Sequence, residues 1–97
     1  MKISLDLNAQ LMMDGNAVAG MLQEIFTTEM TVAPVCCSSC GREGEVGSLQ
    51  VYLHGPGVVL RCPSCQQVIL RIVRTPRMTY IDARGATYLC IPNLMAA

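Results

Sequence analysis

Two short stretches of the sequence contain most of its cysteines and are the part best suited to chemistry. They are "VCCSSC" at 35–40 and "CPSC" at 62–65. Two residues between thiols let the chain make a tight turn that presents both sulfurs to one ion. Two such turns fill the four corners of a tetrahedral zinc site, with Zn–S distances of about 2.3 Å. The predicted metal ligands are Cys37, Cys40, Cys62 and Cys65.

The first stretch offers one thiol more than a four-coordinate site needs. Cys37 has the usual two-residue spacing to Cys40, whereas Cys36 would have three. Gly41 follows directly, where a residue that tolerates positive φ relaxes the turn. We therefore expect Cys37 to be the ligand and Cys36 to be a small residue ending an apolar stretch. The isolated Cys90 is expected to be a buried small apolar residue.

The region before the cysteines has the pattern of an amphipathic helix. Apolar residues recur at helical spacing and form one stripe, which consists of Val18, Met21, Leu22, Ile25 and Phe26. Asp14 or Asn16 offers the capping side chain at the start. The sequence predicts a helix within 14–30, with a flexible N-terminus at 1–13.

The region after the first cysteines is predicted to be a zinc-stapled β region over 35–91, with a tail at 92–97. Alternating apolar residues and a "GPG" turn predict a hairpin, and three further strands follow; the predicted strands are 49–54, 58–61, 67–74, 78–82 and 86–91. The strand at 67–74 is apolar on both faces, which indicates cover on both sides. The helix would cover one face, and the C-terminal tail or another subunit the second.

Together these elements predict a single small α+β domain. Its N-terminal helix packs on an antiparallel, zinc-ribbon-like sheet. The chain has 97 residues, no Trp and one Phe, so its core is modest and a structural metal would supply much of the missing stability.

Charge is balanced overall but unevenly distributed. The formal net charge is zero, with an acidic excess in residues 1–45 and a basic excess in residues 46–97. The candidate anion-binding residues in the second half are Arg61, Arg71, Arg74, Arg77 and Arg84. Three interpretations stay open: the acidic half docks on the basic half, each charged face is simply solvated, or the arginines bind an anion such as nucleic acid. Regular alternation places Arg71 and Arg74 on opposite faces, which argues against one continuous patch.

Several classes of function are disfavoured. No stretch has the roughly 18 uninterrupted apolar residues of a membrane span, and no secretory signal is evident. Six cysteines are then expected in a reducing cytoplasm. A site closed by four thiolates leaves no position for water, so an enzyme is not expected. His54, the sole histidine, is expected to be a solvated turn residue.

The arrangement "CSSCG…CPSCQ" with short strands around it resembles the zinc-ribbon group of small β domains. Residues 13–75 also resemble a small uncharacterised family of bacterial proteins, through "MDGNAVAGMLQEIFTTEMT", "VYLHGPGVVLRCPSC" and "VILRIVRTPR". This resemblance implies a zinc-ribbon-like fold of unknown function. Gln66 departs from the pattern, because a glycine commonly follows the second turn. The turns also resemble rubredoxin, an iron electron carrier, but the missing tryptophan and scarce aromatic residues argue against it.

Two functional hypotheses follow. The first is a non-catalytic structural-zinc domain that docks a protein partner or forms a homodimer; the doubly apolar strand and the Met-rich helix suggest it. The alternative is a zinc-ribbon protein that binds nucleic acid through its arginines and acts in transcription or its regulation.

Overall fold

The computed structural model describes residues 13–53, 55 and 57–93. The expectations for most of the N-terminus, for His54 and for the end of the tail at 94–97 fall outside these residues. Within them lie one helix, α1 (Ala19–Phe26), and strands in two sheets. The strands are β1 (Met13–Asp14), β2 (Pro34–Cys37), β3 (Glu43–Glu45), β4 (Gln50–Tyr52), β5 (Val58–Arg61), β6 (Val68–Arg74), β7 (Thr79–Asp82) and β8 (Ala86–Leu89).

The helical segment begins after the predicted cap Asp14, first as a 3-10 turn and then as α1, and it ends earlier than predicted. The Asp14 carboxylate accepts a hydrogen bond from the Asn16 N–H at 3.1 Å and caps a 3-10 turn at Gly15–Val18, which runs into α1. The helix stops at Phe26 because Thr27 adopts a left-handed conformation, with φ of 55°. The helical part of the predicted 14–30 segment is therefore shorter than expected at its C-terminal end.

The strands pair in two antiparallel sheets. The larger has the order β1-β4-β5-β6-β7, and the smaller has the order β3-β2-β8. The hairpin of β4 and β5 joins Val51 to Leu60 in register, and β6 then pairs with β5. One helix with antiparallel sheets confirms the predicted α+β class.

The hydrophobic core lies between the helix and one face of the larger sheet. Val18 and Leu22 come from the helical segment, and alternate residues of the central strands meet them. Those strand residues are Val51, Leu60, Leu70 and Ile72. At the rim, Arg74 of β6 forms an ion pair with Glu24 of α1 at 2.9 Å. The helix therefore covers one face of β6, as the sequence predicted.

The other face of β6 is covered only at its start. Ile69 is buried, and Gly85 lies against the backbone at this point. Farther along, Arg71 is exposed and Val73 is half-buried. The expected cover by the C-terminal tail falls mostly on residues 94–97, which lie outside the described residues.

Candidate metal centre

The first cysteine turn follows β2. The Cys37 N–H donates to the Arg42 carbonyl, and the Gly41 N–H donates to the Cys37 carbonyl, both at 2.9 Å. These two bonds fold the chain back on itself, so that Cys37 and Cys40 present their sulfurs together. Gly41 has φ of 79°, a conformation that glycine adopts without steric cost.

The second turn follows β5 and has the same pattern of backbone hydrogen bonds. The Cys62 N–H donates to the Gln67 carbonyl, and the Gln66 N–H donates to the Cys62 carbonyl, again at 2.9 Å. Gln66 has φ of 68°, so it takes the left-handed conformation that glycine holds in the first turn. A side chain there costs about 1 kcal/mol. A hydrogen bond of 2.9 Å from the Arg61 guanidinium to the Gln66 carbonyl supports this corner.

The two turns bring four sulfurs together. The Sγ atoms of the predicted ligands Cys37, Cys40, Cys62 and Cys65 all lie within 4.8 Å of one another. Sγ atoms are 3.6 Å apart in the Cys37–Cys65 pair and in the Cys40–Cys62 pair. An ion bound tetrahedrally at about 2.3 Å from each sulfur needs sulfurs about 3.8 Å apart. The arrangement therefore fits a metal ion, which this site could hold through four thiolates.

Burial and backbone donors set the acidity of the first cysteine in each turn. Burial raises the pKa of Cys62, but the backbone N–H groups of Cys65 and Ser64 outweigh it and lower that pKa to about 7. The Ser64 N–H lies 3.4 Å from the Cys62 sulfur. In the first turn burial likewise raises the pKa of Cys37, and backbone N–H groups bring it below its ordinary value. Both turns thus make the thiol at their first position more acidic than an ordinary cysteine.

The second cysteine of each turn has the opposite tendency. A backbone N–H at Gln67 lowers the pKa of Cys65, but burial and the three neighbouring thiols raise it further, to about 11. The pKa of Cys40 is also raised: burial and the Cys62 thiol exceed the effect of the Arg42 N–H. Four sulfurs this close resist becoming four thiolates unless a cation lies among them.

The two remaining cysteines lie elsewhere. Cys36 is buried, and its sulfur lies 3.7 Å from the carbonyl oxygens of Cys37 and Gly41. Its sulfur does not belong to the group of four. Cys90 is exposed, so the prediction of a buried residue is wrong. It lies just beyond the end of β8, where its N–H donates to the Pro34 carbonyl at 2.8 Å.

The predicted arginines divide between two faces of the larger sheet. Arg61, Arg71 and Arg84 line clefts on the face away from the helix, whereas Arg74 pairs with Glu24 on the helix side. Arg77 lies outside both groups, in the segment between β6 and β7. The structure therefore separates the five residues, as the alternation at Arg71 and Arg74 predicted.

Two further residues of this face were missed in the sequence. Asp82 binds the Arg84 guanidinium at 2.6 Å, and the hydrogen bonds from Arg84 lower the pKa of the carboxyl to about 2. The Arg61 guanidinium lies 5.3 Å from the centre of the Tyr52 ring. The alternation in "SLQVYLH" assigns Tyr52 a face, but only the strand register shows that it pairs with Val59 and that Arg71 lies one strand farther along the same row.

Comparison with known proteins gives one match. Neither the curated proteins nor the solved structures contain a significant match to this chain. A protein family described as DUF6510, a family of unknown function, matches residues 8–94. That span includes the helix, both cysteine turns and both sheets, and it agrees with the expected resemblance to an uncharacterised family. On this match the chain belongs to the DUF6510 family.

Proposed function

We propose that the chain is a non-catalytic, zinc-ribbon-like domain in which zinc maintains the fold and which serves as a protein-interaction or self-association module. The observation that carries this proposal is the closed set of four thiol sulfurs within 4.8 Å. Four cysteine ligands complete a tetrahedral site and leave no position for water or substrate. Tetrahedral thiolate sites select zinc or iron, and zinc needs no redox partner.

A structural role for the ion is supported by its position between the two sheets, which it would join. The first turn continues β2 of the smaller sheet, and the second continues β5 of the larger sheet. One ion bound to both turns therefore ties the two sheets together at one point. Structural zinc binding contributes on the order of 10 kcal/mol, comparable to the whole stability of a small domain.

The interaction role is supported by the edge of the larger sheet. Among the described strands, β7 pairs only with β6, so one side of its backbone faces solvent. Apolar side chains are exposed at this edge: Met78 by 57%, Tyr80 by 56% and Ile81 by 43%. A free edge with apolar side chains is a template for pairing with another strand. Antiparallel pairing of β7 with β7 of a second copy would give a homodimer.

The experiment combines metal analysis with light scattering after size exclusion. We expect one zinc per chain and the mass of a dimer. The variant Ile81→Lys places a charge on the edge and should give a monomer with its zinc retained. Val32→Lys is the control, since Val32 is an exposed apolar residue outside the strands. A wild-type monomer at every concentration tested would contradict the self-association proposal.

The free thiols support a proposal for the cellular compartment. All six cysteines are free, which fits a reducing environment, and we propose the cytoplasm. Among the described residues, no helix has the length and apolar character needed to cross a membrane.

Nucleic-acid binding is the second candidate function. The observation that favours it is the gathering of Arg61, Arg71 and Arg84 on one face of the larger sheet. Clustered arginines create the positive potential that attracts phosphates.

A further inference from the structure

The face of the larger sheet away from the helix carries one continuous row of side chains. Strand pairing aligns Tyr52 with Val59, Val59 with Arg71, and Arg71 with Asp82. Alternation directs their neighbours Val51, Leu60 and Leu70 into the core, so the row faces away from the helix. At the usual strand spacing the row is roughly 14 Å long.

A groove follows this row. Two adjoining clefts, of about 520 Å³ and 370 Å³, share the lining residues Arg71, Asp82 and Arg84 and so form one depression. Val73 and Tyr80 line one end, and Val59 and Arg61 line the other. The groove therefore combines apolar side chains with three arginines.

Arg71 is the available cation of the groove. Arg84 is engaged by Asp82, and Arg61 is held by the Gln66 carbonyl and the Tyr52 ring. The Arg71 side chain is exposed and forms no side-chain hydrogen bond or ion pair with the residues that the structure describes. It lies across the strands from Asp82, and its charge contributes to the lowered pKa of that carboxyl. With Asp82 as the one carboxylate on the lining, the groove keeps a positive excess. An anion entering it would meet Arg71 first.

Tyr80 lies beside this cation on the same face. It pairs across the strands with Val73, which is two residues from Arg71. More than half of Tyr80 is exposed, so its ring is accessible to a flat partner. A phosphate on the guanidinium and a ring stacked on the tyrosine are the two contacts that single-stranded nucleic acids make with sheet surfaces.

We propose that this groove binds single-stranded nucleic acid, with a backbone phosphate on Arg71 and an adjacent base stacked on Tyr80. The inference rests on the second candidate function and specifies its ligand and its residues. A duplex keeps its bases stacked inside, so it could reach the arginines but not the ring. An acidic peptide would satisfy Arg71 and leave the exposed ring and the apolar lining without a partner.

Fluorescence anisotropy on the zinc-loaded chain tests the proposal. The probes are a labelled oligo(dT) strand, an oligo(U) strand and a duplex of the same length, each over a range of salt. Arg71→Gln should weaken single-strand binding about tenfold and reduce the salt slope by about one. Arg77→Gln removes the same charge from an exposed arginine that does not line the groove, and it should weaken binding no more than about twofold.

Tyr80 supplies a second and independent test. Tyr80→Ala should weaken single-strand binding, and Tyr80→Phe should restore it, because phenylalanine keeps the stacking surface. Circular dichroism and zinc content establish that each variant is folded. This pair keeps the proposal testable even where Arg71→Gln does not fold.

Three results would contradict the proposal in distinguishable ways. If the wild-type protein binds none of the probes at low salt, both nucleic-acid binding in general and the groove as its site are contradicted. If Arg71→Gln and Arg77→Gln lose the same amount of affinity for the single strand, the protein binds nucleic acid but the groove is not the binding site. If the duplex binds as tightly as the single strand, the proposed stacking of a base on Tyr80 is contradicted.

Discussion

The two cysteine turns have the same pair of backbone hydrogen bonds, yet Gly41 closes one and Gln66 closes the other. Both residues adopt positive φ, at 79° and 68°. Only glycine takes this conformation without steric cost. The second turn therefore holds an unfavourable residue in place, which indicates that the hydrogen bonds and the shared sulfur cluster determine the backbone there, and not the residue type.

The turns also differ in what supports them from outside. The first turn is supported by a distant segment, because the Ser38 N–H donates to the Gly85 carbonyl at 2.9 Å. The second is supported locally, by the bond from Arg61 to Gln66. Two turns with the same hydrogen-bond pattern are thus stabilised differently, the first by a tertiary contact and the second by a local one. Substitutions can separate these two contributions.

The largest effect should come from the cysteines and should be equal for both turns. Cys40→Ser and Cys62→Ser each remove one of the four proposed ligands, so we expect the loss of zinc and of stability on the order of 10 kcal/mol. We expect the cysteine half of the chain to unfold in both variants, as measured by metal analysis and circular dichroism. Cys36→Ser is the control and should keep its zinc. Loss of zinc from that variant would reverse the assignment of Cys37 as the ligand.

The next effect should come from Gly85, which supports the first turn through Ser38 and packs against the backbone of β6. A Cβ at Gly85 would lie 1.9 Å from the Val68 carbonyl oxygen, so Gly85→Ala forces the backbone apart. We expect a loss of about 2–3 kcal/mol in the free energy of unfolding, measured with urea. Gly20→Ala is the matched control: nothing lies within 4 Å of its added Cβ. Since Gly20 lies in α1, that change should stabilise by about 0.5–1 kcal/mol. Equal destabilisation by both changes would contradict this account.

A smaller effect should distinguish the residues that close the turns. Gly41→Ala introduces a side chain at positive φ and should cost about 1 kcal/mol. Gln66→Gly should be neutral or stabilising by less than about 1 kcal/mol, since relief of strain is offset by the freer unfolded chain. Urea unfolding of the zinc-loaded variants measures both. Destabilisation by Gln66→Gly would mean that the glutamine side chain has a role of its own.

The smallest effect concerns the strand that leaves the first turn. The Tyr88 hydroxyl donates to the Glu43 carboxylate at 2.6 Å, and this bond raises the pKa of Tyr88 to about 12. The contribution of this hydrogen bond to the free energy of unfolding is complete below the ordinary tyrosine pKa of 10.0. It is lost as the pH rises through about 12. Glu43→Gln should return the Tyr88 pKa toward 10.0, as measured by tyrosinate absorbance. Glu45→Gln, on the same strand, should leave the titration unchanged.

The sequence predicted what depends on local pattern. Residue spacing indicated the four sulfurs that the structure brings together, and alternation predicted the separation of Arg71 from Arg74. It did not predict the left-handed Thr27 that ends the helix, because threonine rarely adopts this conformation. Nor did it predict that Tyr52 lies in one row with Arg71, since a row depends on register between strands and not on either strand alone.

The bond between Ser38 and Gly85 links the first cysteine turn to the groove. Ser38 lies in the first cysteine turn, and Gly85 lines the groove beside Arg84. A change in metal occupancy that shifts the turn would therefore be transmitted to the groove through one hydrogen bond. If zinc strengthens ligand binding in the groove by some factor, thermodynamic reciprocity requires the ligand to strengthen zinc binding by the same factor. The protein would then keep its metal best while its groove is occupied and release it most readily when the groove is empty.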